Sequence, residues 1–341
     1  MVAYKKGHGE WLMDIQAIEQ QILNGAWRFP NYAIYQVGGA AGGECYLIVS
    51  DSGSAALIDA GYAWDAPATL VSIQRALTDV GASHLEWLLL THSHYDHAAG
   101  AGYLARHMPG LKVACSAYAA RVFSRPGALA TMRTLNASEA HLHGLTDFEE
   151  VPASLTIDRV LEPGDTVRAA DMDFTVLAAP GHTKCSIAFW CADRRFLVSC
   201  ETGCVYAGPL DAAFRDVSGN SAPQGLEVMA DPACLVGYAS SLDFIAREID
   251  LHPTVLLVPH FGIMTGDAAT SFLYAADYFS RYAASLIMQA HTAGASNDEV
   301  IAQFKAVFYN DYVQAIQPEA AFDLNASYLV PLVIRELSEM Q

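Results

Sequence analysis

The chain of 341 residues is 52% hydrophobic and only 16% charged, enough apolar material for a large core or a core with a smaller companion domain. Its formal net charge of −18 opposes a polyanionic partner, and with no basic patch in view nucleic acid is set aside. Seven cysteines, an odd number without regular spacing, fit reduced thiols better than a disulfide framework. With no apolar run long enough for a signal peptide or a bilayer span, a soluble cytoplasmic protein that meets no membrane is expected.

Residues 10–24 space Trp11, Ile15, Ile18, Ile22 and Leu23 three and four apart, which predicts an amphipathic helix closed by Gly25 within a lead-in over 1–32. Short strands follow in "YAIYQVGG" and "CYLIVSDSGSAALIDAG", then a helix over 65–80 and a buried strand over 85–91. Residues 115–155 read as an irregular helical insertion. Strands resume at "LTIDRVL", "MDFTVLAAPG", "SIAFWCA", "RFLVSC" and "TVLLVPHFG", giving an α/β core over 33–266.

After Gly266 the strands stop. "FLYAADYFSRYAASLIMQA", "SNDEVIAQFKAVFYN" with Ser296 three residues before Glu299, and "NASYLVPLVIRELSEM" predict an all-helical extension over 267–341. Its stripe of Phe272, Tyr274, Tyr278, Phe279 and Tyr282 suits core packing first, with a homodimer interface or a lid over a pocket as alternatives.

The densest chemistry lies in "THSHYDH", where His92, His94, Asp96 and His97 sit on the turn between a strand and a helix. Imidazoles beside a carboxylate are metal-ligand chemistry, and a turn at a strand's carboxyl end lets them converge. Downstream, "AAPGHTKCSIAFW", "FLVSCETGC" and "VPHFG" each follow a strand, and "ALIDAG" precedes the histidine cluster. Taken in order, these pieces over residues 33–266 resemble the metallo-β-lactamase superfamily. "APGHT" looks most like its glyoxalase II and lactonase-type branches, and the "HxHYDH" form with a helical tail is similar to the bacterial quinolone-response thioesterases.

The resemblance implies a four-layer αββα sandwich with the site at one rim. It also implies two divalent metal ions, one on His92, His94 and His182 and the other on Asp96, His97 and His260, with Asp59 steadying the loop. Where the family places a bridging aspartate, this chain has Cys200 and Glu201. Adjacent residues point to opposite sides of an extended chain, and Glu201 is favoured over Cys200 as the ligand. An all nitrogen and oxygen donor set then suits zinc first, with iron or manganese as alternatives.

The implied activity is hydrolysis of a small-molecule ester, thioester or lactone by a metal-bound water, with Asp96 orienting it and moving its proton. A di-iron redox enzyme on the same fold is the alternative, and a metal-containing binding or regulatory protein acting through its helical tail is a further one. His141 and His143 form a second HxH outside the motifs, read as surface or pocket-lining, and Cys185, Cys191 and Cys204 as buried thiols.

Overall fold

The computed structural model describes residues 26–82 and 84–339, so the helix expected over 10–24 lies outside the described residues. The class is mixed α/β, with β-sheets flanked by helices and an all-helical C-terminal run. The chain divides into two compact units: residues up to Leu177 together with Ile187–Asp193, and Ala178–Ser186 together with Arg194 onward.

The first unit carries a seven-stranded sheet in sequential order, β1 (Ala26–Phe29), β2 (Tyr32–Gln36), β3 (Tyr46–Ser50), β4 (Ser54–Ile58), β5 (His84–Leu89), β6 (Lys112–Ser116) and β7 (Arg159–Leu161). The first four strands are antiparallel hairpins, whereas β4 to β7 run parallel. A parallel pair cannot be closed by a tight turn, so helical crossovers are required. They are α1 (Ala66–Asp79), then α2 (Tyr95–Ala98) with α3 (Ala101–His107), then α4 (Ala117–Phe123) with α5 (Pro126–Leu142). Helix α1 buries Ala66, Thr69, Leu70, Ile73 and Ala76, a stripe at helical spacing that explains why its sequence reads as amphipathic. Strands β8 (Thr166–Ala169), β9 (Met172–Ala178) and β10 (Ile187–Cys191) lie side by side in that order.

Within the stretch expected to be a helical insertion, the chain first completes β6, then forms α4 and α5, and is irregular only beyond Leu142. In "KVACS" Lys112 is exposed and Val113 to Ser116 are buried, the strand pairing between β5 and β7.

The second unit contains β11 (Phe196–Val198), the two-stranded β12 (Val205–Pro209) and β13 (Val228–Asp231), α6 (Tyr238–Leu251), and the hairpin β14 (Val255–Val258) and β15 (Gly262–Thr265). Strand β14 is buried at every position, as expected of a strand flanked by parallel β11 and antiparallel β15. Four helices close the chain: α7 (Asp267–Thr292), α8 (Asn297–Phe308), α9 (Asp311–Ile316) and α10 (Glu319–Glu339). The capping box read from the sequence is present, Ser296 Oγ accepting from the Glu299 N–H while Glu299 Oε2 accepts from the Ser296 N–H at 2.8 Å. Among the described residues no helix is long and apolar enough to cross a membrane.

The aromatic stripe of α7 divides by burial. Phe272, Phe279 and Tyr282 are buried, while Tyr274 is 54% exposed. Phe279 lies within 6.3 Å, centroid to centroid, of Phe214, Tyr282 and Phe308, which makes it core. Phe279→Ala is expected to lose about 3–5 kcal/mol of stability in urea denaturation, and Tyr274→Ala less than about 0.5 kcal/mol. Equal, small losses at both positions would make the stripe a surface feature.

Candidate metal centre

Each unit carries one cluster of histidine and carboxylate donors, and each is set by where parallel strands end. In the first unit β4 and β5 run parallel with Ile58 beside Leu89, so the residues that follow them emerge on one edge. Asp59 follows β4 and "THSHYDH" follows β5. The Asp59 N–H donates to the Leu89 carbonyl at 3.0 Å, and the Ala60 N–H to the His97 carbonyl at 2.7 Å.

Asp59 is the organiser of this cluster. Its Oδ1 accepts from the Thr91 N–H at 2.8 Å, and its Oδ2 accepts from Thr91 Oγ1 and from His97 Nδ1, each at 2.8 Å. It does so from a left-handed backbone, φ 55°, which aspartate tolerates better than most residues. Thr91 has one hydroxyl proton. With that proton given to Asp59, its oxygen accepts from His92 Nδ1 at 3.1 Å.

Both rings are thereby fixed as Nδ1–H tautomers, which present a lone pair at Nε2. His92 and His97 are buried, with ring centroids 4.2 Å apart, and His94 meets His92 edge-on at 4.7 Å. Asp96 Oδ2 stands 3.6 Å from His97 Nε2.

In the second unit β11 and β14 run parallel with Val198 beside Leu257. Glu201 follows β11 at the head of a 3-10 turn, Glu201–Gly203, and His260 sits in the tight turn between β14 and β15. The shared register brings them together: His260 Nε2 is 3.2 Å from Glu201 Oε1. His260 has φ 57°, a costly conformation for this residue that the paired Val258 and Gly262 hold in place.

His182 completes this cluster from the turn after β9. Its N–H donates to Thr202 Oγ1 at 3.1 Å, whose hydroxyl donates to the Ala179 carbonyl at 2.6 Å. The Gly181 carbonyl accepts from the N–H groups of Leu235, Val236 and Gly237. A side chain at Gly181, with φ 149°, would strike Ser241 Oγ at 2.1 Å. His182 Nδ1 donates to the Ala233 carbonyl at 2.7 Å, so Nε2 carries the lone pair, and it stands 2.6 Å from Glu201 Oε2. The Glu201 carboxylate therefore spans two imidazoles with one oxygen toward each.

These contacts test whether a metal fits. A neutral imidazole lone pair and a carboxylate oxygen at 2.6 Å are two acceptors face to face, a contact that only a cation satisfies, either a proton on the ring or a metal ion. Asp96 Oδ2 lies farther from His97 Nε2, at 3.6 Å, and imposes no such constraint. Buried imidazoles oriented through Nδ1 by a carboxylate or carbonyl are the usual supports of metal ligands, and the donors are all nitrogen and oxygen.

The alternative ligand Cys200 is not brought in. Among the described residues no cysteine joins a donor cluster. Cys200 is fully buried, and burial followed by the charge of Glu248 pushes its thiol pKa up, away from the thiolate a metal needs. His141 meets Phe148 edge-on and His143 lies beside Trp64, both exposed and both outside the donor clusters.

Several contributors carry little sequence signal. Thr91 and Thr202 adjoin the motifs and could have been read from them, whereas the Ala233 carbonyl has no side-chain signature. Two buried acids were also missed. Burial and then the charge of Glu201 push the Asp231 carboxyl up to about 8. Burial pushes Glu248 up to about 8 as well, against the opposing hydrogen bond it accepts from Ser199 Oγ at 2.5 Å. Helix α6, which carries Glu248, packs on the Glu201–Gly203 turn.

The metallo-beta-lactamase superfamily model matches residues 38–247, more than half of the chain, and the chain belongs to that superfamily. A hydroxyacylglutathione hydrolase of Xanthomonas campestris pv. campestris is 30% identical over 144 residues, 42% of this chain and 40% of the relative. A probable metallo-hydrolase of Burkholderia pseudomallei is 30% identical over 148 residues, 42% and 45% of the two chains. The matches thus span less than half the length of these curated relatives. Among solved structures, a metallo-beta-lactamase family protein from Thermus thermophilus is 18% identical with a TM-score of 0.59, covering 91% of this chain and 95% of that one. A beta-lactamase domain protein from Burkholderia ambifaria is 16% identical with a TM-score of 0.60, covering 92% and 88%. At these identities the likeness shows the fold.

Two outcomes are expected. Asp59→Asn keeps a residue that tolerates the left-handed backbone but replaces one accepting oxygen with a donor, and should weaken metal binding about 10–100-fold in chelator competition; parent-like affinity would remove Asp59 from the site's support. For Glu248, the folded state holds a proton that the unfolded state releases near the ordinary glutamate value of 4.5. Stability should therefore fall as pH rises from 4.5 to about 8. Glu248→Gln should flatten that slope in urea denaturation measured across the range.

Proposed function

We propose that this superfamily member is a metal-dependent hydrolase of a small-molecule ester, thioester or lactone. It would hold two divalent cations, zinc in our reading, with His92, His94 and His182 as ligands to one and Asp96, His97 and His260 to the other. Glu201 would offer an oxygen to each. The observation that carries this is the acceptor-to-acceptor approach of His182 Nε2 to Glu201 Oε2 at 2.6 Å. Such pairings need positive charge between them. The superfamily match over 38–247 and the names of the curated relatives support the hydrolase reading.

When bound, such cations polarise a carbonyl oxygen and lower the pKa of water toward neutrality. The chain's own residues do the rest. Asp59 and Thr91 hold His97 and His92 in the tautomers that ligate through Nε2, and the Ala233 carbonyl does the same for His182. Asp96 Oδ2 orients the attacking water and accepts its proton. Hydrolysis breaks the acyl C–O or C–S bond, the water oxygen staying with the acid and the proton passing to the leaving group. All seven cysteines are buried thiols outside any disulfide, which fits work in a reducing compartment such as the cytoplasm. The net charge of −18 favours a small substrate over a polyanion.

Elemental analysis of protein purified without added metal should find about two zinc ions per chain. Glu201→Ala should lower that stoichiometry and cut hydrolysis at least about 100-fold across an ester, thioester and lactone panel. Full metal content in Glu201→Ala would sink its role as shared ligand. A metal-replete parent inert across the panel would sink the hydrolase reading itself.

A further inference from the structure

The two chain segments that carry Glu201 and His260 also carry aromatic rings that metal binding does not use. Strand β12 begins just after the turn that carries Glu201, and places Tyr206 on it; Phe261 follows His260 in the chain. The rings of Tyr206 and Phe261 lie 4.3 Å apart, tilted by 47°, so the two chain segments that deliver the carboxylate and the imidazole also deliver touching aromatics. A third ring, Tyr312 of α9, meets Tyr206 edge-on at 5.0 Å. Tyr206 is buried, whereas Phe261 and Tyr312 are half-buried and keep ring surface exposed.

Helix α9 has six residues, too few to be stable alone, so its position is set by its contacts. Asn310 supplies them. Its Oδ1 caps α9 by accepting from the Val313 N–H at 3.0 Å, while its Nδ2 donates to the Ala207 carbonyl of β12 at 2.9 Å. Gly208 gives the necessary room, since a side chain there would meet Tyr312 Cβ at 2.8 Å. One asparagine and one glycine thus fix an aromatic from the C-terminal helices against β12, the strand that follows the Glu201 turn.

We infer that Tyr206, Phe261 and Tyr312 form the acyl-selecting wall of the site and that the substrate carries a planar aromatic acyl group. This rests on the hydrolase reading. Tilted and edge-on rings with exposed surface receive another ring by edge-to-face or offset contact, which a short aliphatic acyl group cannot make. Phe261 directly follows His260 in the chain, and Tyr206 lies on the strand that follows the Glu201 turn.

The test compares benzoyl and acetyl thioesters of one thiol, N-acetylcysteamine, on the metal-loaded protein, with benzoate and acetate binding measured separately by calorimetry. The benzoyl thioester should be preferred in kcat/KM, and Tyr312→Ala should lower the benzoyl-to-acetyl ratio about three- to tenfold. The loss should appear in KM, with metal content unchanged and Tyr312→Phe restoring the ratio. If Tyr312→Ala fails to fold, Tyr312→Leu serves as the non-aromatic variant against Tyr312→Phe. Equal turnover of both thioesters with a ratio indifferent to Tyr312 would overturn the wall and leave the hydrolase standing. No turnover of these thioesters or of the ester and lactone panel, but benzoate binding that weakens in Tyr312→Ala or Tyr312→Leu, would keep the wall and overturn the hydrolase. Benzoate binding no better than acetate in the absence of turnover would overturn both.

Discussion

An imidazole whose Nδ1–H is given to the protein can bind anything else only through the lone pair on Nε2, and the rest of this molecule is arranged around that constraint. His97 gives its proton to Asp59, His182 to the Ala233 carbonyl and His92 to Thr91. Each partner is held by a strand end or a turn, so the direction of each lone pair is settled before any cation arrives. Preorganised donors do not lose orientational freedom on binding, which is how outer contacts raise metal affinity. The parallel pairs β4 with β5 and β11 with β14 serve the same end, because two parallel strands deliver their following residues to one edge.

The arrangement has a cost in backbone strain and buried charge. Asp59 and His260 both adopt positive φ, a conformation of order 1–3 kcal/mol above the alternatives for most residues. Each is held by neighbours that leave no other route: Asp59 by hydrogen bonds to Leu89, Thr91 and His97, His260 by the register of β14 and β15. Near Glu201 the protein limits its negative charge. Burial pushes both Asp231 and Glu248 up to about 8, so at neutral pH their protonated forms predominate and add little repulsion to the carboxylate that faces the imidazoles.

The C-terminal helices have two roles in the second unit. Helix α7 buries thirteen residues, and Phe279, Tyr282, Phe304 and Phe308 form a continuous aromatic core. Helix α9 instead carries Tyr312 to β12 through Asn310 and Gly208. A helical run that folds as core thus also holds an aromatic ring against the strand that follows the Glu201 turn.

Much of the fold was legible in the sequence because the signals are local. Apolar strand runs, the helical stripe of α1 and the Ser296 to Glu299 capping box each depend on residues a few positions apart. Strands β12, β13 and β15 lie outside the runs read as strands: β12 and β13 are defined by pairing with each other and β15 by its return against β14. The site divides along the same line. By itself the sequence determined which donors exist, that His92, His94, Asp96 and His97 share one turn, and that Glu201 follows a strand, because chemical identity and short spacing need no fold. Only the tertiary structure decided which nitrogen each imidazole presents, that Glu201 rather than Cys200 meets His182 and His260, and that Tyr312 packs on Tyr206 of β12. Those choices depend on partners distant in the chain, Asp59 for His97, Ala233 for His182 and β12 for α9, and a hydrogen bond between distant residues exists only once the backbone has brought them together.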